Sequence, residues 1–282
     1  MIRTPPGWGA DMLTRAYQSA TTVRPDWAVA RSSPVVIHRI GLSDLRWALA
    51  RGAGDFGASR TDVIFLCLIY PLVGLLLARL AFGYQLLPLV FPLASGFALV
   101  GPLAGVGLTE MSRRRELGLS AGWADAFTVF RSPAIGGIAL LGIILLVLLM
   151  FWLVLSNAVY DLTLGPKPPA SLYAFAHDVL HTRAGLTMMV AGIGIGFVFA
   201  AVALAISVVS FPMMLDRNVS LEMAIRTSLR VVARNPIVIG TWGIFIAAGL
   251  VAGSLPLLLG LVFVVPVFGH ATWHLYRRAV ST

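Results

Sequence analysis

Two histidines near the carboxyl end of the chain are the residues best placed to do chemistry. His270 and His274 lie four residues apart in the stretch GHATWHLYRR, so both fall on one face of a helix. Imidazoles at this spacing can share a transition metal, and Glu110 would supply a carboxylate from the end of an earlier apolar run. The pattern predicts a His270–Glu110 contact, or a metal shared by His270, His274 and Glu110.

Two other interpretations of this stretch stay open. Two histidines on one helical turn cannot ligate opposite faces of one haem, so bis-histidine haem binding needs a ligand from elsewhere. Alternatively, Trp273, His274, Tyr276, Arg277 and Arg278 form an interfacial belt at the depth of the lipid headgroups. The belt is the favoured interpretation, and we therefore predict no cofactor.

A second histidine pair lies in SLYAFAHDVLHT, residues 171–182. His177, Asp178 and His181 share the polar face of a predicted amphipathic helix, and such a set is able to hold zinc or copper. Nothing nearby in the sequence supplies a third strong ligand. A solvated polar face is therefore the favoured interpretation.

The elements that position these residues are predicted from composition and hydropathy. The 282 residues are 58% hydrophobic and 12% charged, whereas soluble domains carry about 25% charged residues. The apolar residues form continuous runs near the ~20 residues that cross a bilayer, which favours helices over a barrel. We predict an all-α membrane protein with six transmembrane helices. They cover 63–82, 86–108, 134–158, 186–214, 237–255 and 257–276, within a membrane domain of residues 37–278 that is flanked by a partly disordered extension (1–36) and a tail (279–282).

The distribution of basic residues predicts the orientation of this domain. Only three of the 21 Lys and Arg residues, namely Arg79, Lys167 and Arg183, fall on one side of the predicted spans. The positive-inside rule then places both termini in the cytoplasm. The net charge of +9 is explained by orientation, so we predict no nucleic-acid partner.

Each segment before an odd-numbered span resembles a short cytoplasmic amphipathic helix. Ser43, Ser120 and Ser220 stand where they can cap these helices, and prolines end the second and third segments at 133 and 236. Three repeated units, each a helix followed by a hairpin, would explain the pattern. Three independent hairpins would explain it equally well.

The third amphipathic segment carries a regular stripe of arginines. Arg226, Arg230 and Arg234 follow one another at four-residue steps, so they share one helix face. Such a stripe is suited to lipid headgroups at the membrane interface, with about 1 kcal/mol per arginine at an anionic surface. The alternative is a snorkelling helix that only sets topology.

The predicted spans contain few residues that could carry transport or catalysis. All 12 acidic residues lie outside the spans or at their ends, which argues against an ion-driven transporter. The sequence has no zinc-protease, serine-hydrolase or P-loop motif, and its one cysteine, Cys67, cannot form a disulfide framework. We predict that the protein is not an enzyme.

Several stretches resemble a family of bacterial integral membrane proteins of unknown function. They include IHRIGLSDLRWAL, SRRRELG, AISVVSFPMMLDRNV and GHATWHLYRR, and the resemblance extends over about residues 37–278. Members of that family are often catalogued as cytochrome c oxidase subunits. The resemblance implies an inner-membrane location and carries no site residues. With five histidines, the chain cannot be the haem–copper subunit itself.

These observations leave three functional hypotheses. The first is a non-enzymatic accessory or scaffold protein, with membrane lipids and a respiratory (cytochrome c oxidase) complex as partners. The second is a transporter or lipid-handling protein with a cavity between kinked spans. The third is a haem- or metal-binding redox protein that uses His270 and His274.

Overall fold

The fold consists almost entirely of helices. A computed structural model describes residues 35–67, 87–119, 121–256 and 258–281. A 3₁₀ turn covers Leu87–Leu89, and a longer 3₁₀ segment covers Trp123–Arg131. The strands are β1 (Val36–Ile37) and β2 (Val280–Ser281). The α-helices are α1 (Leu42–Cys67), α2 (Val90–Ala104), α3 (Val106–Glu116), α4 (Ile135–Thr163), α5 (Leu172–His181), α6 (Arg183–Ser207), α7 (Ser210–Arg217), α8 (Leu221–Arg234), α9 (Pro236–Ser254) and α10 (Leu261–Ala279).

Among the described residues, three helical stretches are long and apolar enough to cross a membrane. They are α4, the continuous stretch Arg183–Arg217 formed by α6 and α7, and α9. They coincide with the predicted spans 134–158, 186–214 and 237–255, so an all-α membrane protein is confirmed at this level. Most of the predicted first span, from residue 68 to 82, lies outside the described residues. Six spans are therefore not confirmed.

The faces of α4 and α6 that point away from the protein carry large apolar side chains. Phe151 is 64% exposed and Phe197 is 70% exposed, as expected for helices whose solvent is lipid. On the opposite face, Trp152 is buried and donates its indole N–H to the Pro92 carbonyl at 3.1 Å. This bond connects α4 to α2.

Helices α1 and α10 run antiparallel in close contact. Gly52 makes this possible, because a Cβ at that position would lie 2.6 Å from the Val267 carbonyl oxygen and 2.7 Å from the Ala271 nitrogen. Arg278 binds Asp44 at one end of the pair. The strands β1 and β2 then pair antiparallel and join the two ends of the described chain.

Prolines interrupt two predicted spans, as their positions suggested. The predicted second span is divided at Gly105 into α2, which contains Pro102, and α3. Pro212 lacks an N–H, and the helix is broken just before it, between α6 and α7. Ser228 of α8 repairs this break by accepting the Val209 N–H at 3.3 Å and donating to the Ala205 carbonyl at 2.7 Å.

The three predicted amphipathic segments have three different conformations, so the repeat is not confirmed. The first is the beginning of α1, which continues without a break to Cys67 and packs along α10. The second is the 3₁₀ segment. Only the third is a separate α-helix, α8, and Ser220 caps it by accepting the Met223 N–H at 3.4 Å.

Candidate functional site

The two predicted histidines lie in one buried polar cluster. His270 and His274 of α10 meet Asp55 of α1 and Ser112 of α3, and we call these four residues the Asp55 cluster. The His274 Nε2 is 2.8 Å from Asp55 Oδ2, Ser112 Oγ is 2.6 Å from the same oxygen, and His270 Nδ1 is 2.8 Å from Ser112 Oγ. Exposure ranges from 1% for Ser112 and His270 to 9% for Asp55.

The bonds of the Asp55 cluster fix the proton positions. A carboxylate only accepts, so Ser112 and His274 Nε2 both donate to Asp55. Ser112 has then used its one proton, and His270 Nδ1 must donate to the hydroxyl oxygen. The His270 Nε2 is left as a buried acceptor without a hydrogen-bond partner in the described part of the chain.

The charge of the Asp55 cluster resides on the carboxylate. Burial acts to raise the pKa of Asp55, but the hydrogen bonds from His274 and Ser112 outweigh it and hold the pKa below its ordinary value. Arg115 Nε lies 3.5 Å from the other carboxylate oxygen and balances the charge. Trp47 covers His274 with an edge-to-face contact, at 5.7 Å between ring centroids.

The geometry of the Asp55 cluster suits a structural role better than catalysis. A serine nucleophile needs a base that takes its proton and a path for substrate. Here the Ser112 proton points to a carboxylate, and the hydroxyl is enclosed between three helices. The cluster holds α1, α3 and α10 together.

Glu110, the third residue of the predicted metal site, is held elsewhere. Its carboxylate accepts two bonds from Arg113, at 2.7 Å from Nε and 2.9 Å from Nη2, and it makes no hydrogen bond to His270. Among the described residues, no group of three or more His, Cys, Asp or Glu side chains is placed to hold a metal ion. The structure thus brings His270 and His274 together with Asp55, which the sequence analysis did not single out.

The residues of the predicted interfacial belt are largely inside the protein. Trp273 is 1% exposed and donates to Glu116 Oε2 at 2.6 Å, while Tyr276 is fully buried and donates to Asp216 Oδ2 at 2.7 Å. Arg277 joins the two carboxylates, at 3.0 Å from Glu116 and 3.5 Å from Asp216. A belt at headgroup level is therefore wrong for Trp273 and Tyr276, because α3 and α7 cover this end of α10.

The other predicted polar residues are on the surface. Arg226, Arg230 and Arg234 are exposed on α8, and Arg226 binds Glu222 at 2.8 Å. The buried face of α8 includes Ala224 and Val231 and packs against neighbouring helices. Headgroup binding by this stripe stays a prediction. His177 and His181 of α5 stack on each other at 4.8 Å, and His177 lies 3.7 Å from Asp178, whose side chain is 54% exposed.

A large cavity lies between α2, α6, α7, α9 and α10. Its volume is about 560 Å³, within the ~300–1,000 Å³ typical of small-molecule sites. Phe197, Leu204 and Phe211 line one side of the cavity, and Ile246 and Phe268 line the other. None of the described lining residues is charged.

The hydroxyl groups along this cavity are already satisfied. Thr109, Ser207, Ser254 and Thr272 each donate to the carbonyl four residues earlier in the chain, at 2.6–3.1 Å. Such bonds leave little hydrogen-bonding capacity for a ligand. Trp242 also lines the cavity, and its indole N–H has no hydrogen-bond partner in the described part of the chain. Apart from this one donor, the described wall is suited to hydrocarbon rather than to a polar solute.

The comparison with known protein families agrees with the membrane assignment. Residues 90–216, from the start of α2 almost to the end of α7, match the model of a family described as "Predicted integral membrane protein (DUF2189)". The matched segment is similar to members of that family. It contains Ser112 and much of the cavity wall, whereas α1 and α10 lie outside it. No curated protein and no solved structure shows a significant match to the chain.

Sequence reasoning missed Asp55, and it raised a cavity only as one of three hypotheses, without its lining residues. Asp55 lies in a stretch that was interpreted as an interfacial helix, where an acidic residue is unremarkable. A partial signal was available, since Asp55 follows the close-packing Gly52 by one turn. The cavity depends on the packing of several helices, which hydropathy does not report.

Proposed function

We propose that this integral membrane protein binds a lipid or another long apolar molecule in the cavity. The observation that carries the proposal is the apolar wall, which has no charged residue and no free hydroxyl among its described residues. This favours the lipid-handling hypothesis over an ion-coupled carrier, which needs ionisable residues at its site. The proposal involves no chemical conversion of the ligand.

The location of the cavity supports this proposal. Its walls include α6 and α9, two of the helices long enough to cross a membrane, which favours a ligand that is itself at home in the bilayer. We further propose that the chain crosses the inner membrane several times with both termini in the cytoplasm, because the basic residues are concentrated on one side of the predicted spans.

Cavity-filling variants test the proposal. Gly101 and Gly240 line the cavity, and a Cβ at either position meets nothing within 4 Å, so Gly101→Leu and Gly240→Leu place four extra carbons in the empty volume. Gly194 of α6 is equally open and does not line the cavity, so Gly194→Leu is the matched control.

The measurement is native mass spectrometry of the protein in mild detergent, combined with identification of the lipids that co-purify. We expect wild type and Gly194→Leu to retain a bound apolar molecule, and the two cavity variants to lose most of it. Equal retention by all four proteins would show that the lipid binds outside the cavity and would refute the proposal.

The accessory role that the resemblance implies is a second candidate function, and the same purified protein can be used to test it. No contact within the described structure identifies a protein partner, so this candidate rests on the resemblance. Co-purification of cytochrome c oxidase subunits with wild type, and equally with the cavity variants, would favour it over lipid handling.

A further inference from the structure

A second, smaller pocket lies at the N-terminal end of the apolar helix α4. Its volume is about 260 Å³, and it is enclosed by α3, the 3₁₀ segment, the residues before α4 and the end of α7. Its polar lining residues are Glu110, Arg113, Arg114, Thr128, Arg131 and Ser132. We call it the arginine pocket.

The arginine pocket carries excess positive charge. Arg113 is paired with Glu110, and Arg114 Nη2 lies 2.9 Å from Asp125, which is outside the lining. Arg131 is exposed and makes no ion pair or hydrogen bond within the described parts of the chain. Three guanidinium groups thus face two carboxylates, and one positive charge has no counter-charge.

The donors of the arginine pocket are suited to a phosphate group. Each guanidinium has five N–H donors in a planar fork that matches phosphate oxygens. Glu110 uses only two donors of Arg113. The remaining donors of Arg113 and those of Arg131 border the same small volume.

The position of the arginine pocket favours a lipid as the carrier of that phosphate. Ser132 and Pro133 line the pocket and directly precede α4, which begins at Ile135 and is long and apolar enough to cross a membrane. The start of such a helix lies near the depth of the lipid phosphates. A phosphate in bulk solution has no such reason to meet the pocket.

We propose that the arginine pocket binds the phosphate of an anionic membrane lipid, with Arg131 supplying the uncompensated charge. Its lining residues differ from those of the apolar cavity, so this inference can hold or fail independently of the proposed function. The arginine stripe of α8 is also separate from it.

Matched charge-removing variants test this inference. Arg131→Gln removes the unpaired charge from the pocket. Arg46→Gln removes the same charge from an exposed position on α1 that likewise makes no ion pair within the described residues. Both side chains are exposed, and the melting temperature of each variant verifies that the fold is retained.

The assay measures binding of fluorescent phosphatidylglycerol and phosphatidylcholine to detergent-purified full-length protein, with and without inorganic phosphate. We expect wild type to prefer phosphatidylglycerol, and Arg131→Gln to weaken that binding about fivefold, the factor that corresponds to ~1 kcal/mol per arginine. Arg46→Gln should retain the preference.

Three results would overturn the inference. Equal affinity of wild type for both lipids would exclude a headgroup site. An equal loss in Arg131→Gln and Arg46→Gln would show diffuse surface attraction instead of a pocket. Full competition by inorganic phosphate, without preference for phosphatidylglycerol, would identify free phosphate as the ligand.

Discussion

The contact between α1 and α10 at Gly52 makes a prediction that can be worked out from the structure. Gly52→Ala adds a Cβ that would lie 2.6–2.7 Å from the Val267 carbonyl oxygen, the Ala271 nitrogen and the Ala271 Cβ. Two of these atoms belong to the backbone of α10 and cannot rotate away. The helices must therefore separate, at an overpacking cost of about 1–3 kcal/mol.

The matched control is Gly54→Ala, two residues further along α1, where a Cβ meets nothing within 4 Å. Both substitutions gain about 1 kcal/mol of helix propensity. The difference in unfolding free energy between the two variants therefore isolates the overpacking cost. For a chain of this size, 1 kcal/mol corresponds to about 2–4 °C, so Gly52→Ala should melt roughly 2–12 °C below Gly54→Ala.

The assay is thermal unfolding in mild detergent, followed by circular dichroism at one scan rate for both variants. A second readout is the melting temperature of Asp55→Asn in the Gly52→Ala background. Asp55 lies one turn from Gly52, so separation of the helices should reduce the further loss that Asp55→Asn causes. Equal melting temperatures for Gly52→Ala and Gly54→Ala would refute the close packing of α1 on α10.

Four further predictions concern polar contacts. Asp55→Asn should lower the melting temperature at neutral pH. The folded pKa of Asp55 is below its ordinary value, so the stabilisation is present above about pH 4 and is lost as the pH falls through the folded pKa; a wild-type advantage that does not decrease as the pH falls below about 4 would contradict this. Trp273→Phe removes the donor to Glu116 and should cost about 1.5–3 kcal/mol in denaturant unfolding, whereas an unchanged midpoint would mean that water replaces it. Asn235 binds the Ile40 N–H and the His38 carbonyl, so Asn235→Ala should speed proteolysis near β1, with Asn157→Ala as the control. Metal analysis and an optical spectrum of the purified protein should show no stoichiometric metal or haem, and a Soret band lost in His270→Ala would overturn this.

The sequence was most informative where local features, such as one helix face or one residue type, decide where a helix lies or ends. The length of the apolar runs located α4, the α6–α7 stretch and α9, because burying backbone in lipid leaves few alternatives to a helix. Ser220 was recognised as a cap because capping depends on residues within one turn.

The sequence was least informative where a contact joins distant parts of the chain. Asp55 and His274 are 219 positions apart, and Ser112 and His270 are 158 apart. Nothing in the spacing of His270 and His274 distinguishes a ligand for metal from a partner for a carboxylate. The wrong prediction of a headgroup belt for Trp273 and Tyr276 has the same origin. Aromatic residues next to arginines occur both in membrane belts and beneath a covering helix, and the sequence pattern is the same in the two cases.

The Asp55 cluster explains why polar residues occur within the last helix. His270 and His274 lie where α1 and α3 both pack on α10. An apolar residue at 274 would remove one of the donors to Asp55, and an apolar residue at 270 would remove the donor to Ser112. Removing one partner of a buried charge costs about 3–5 kcal/mol, whereas replacing the whole set by apolar residues is often neutral. Replacing Asp55, Ser112, His270 and His274 together by apolar residues should therefore cost less stability than Asp55→Asn, His274→Leu and Ser112→Ala cost in sum. Strict additivity of these losses in thermal unfolding would mean that the four residues do not act as one cluster.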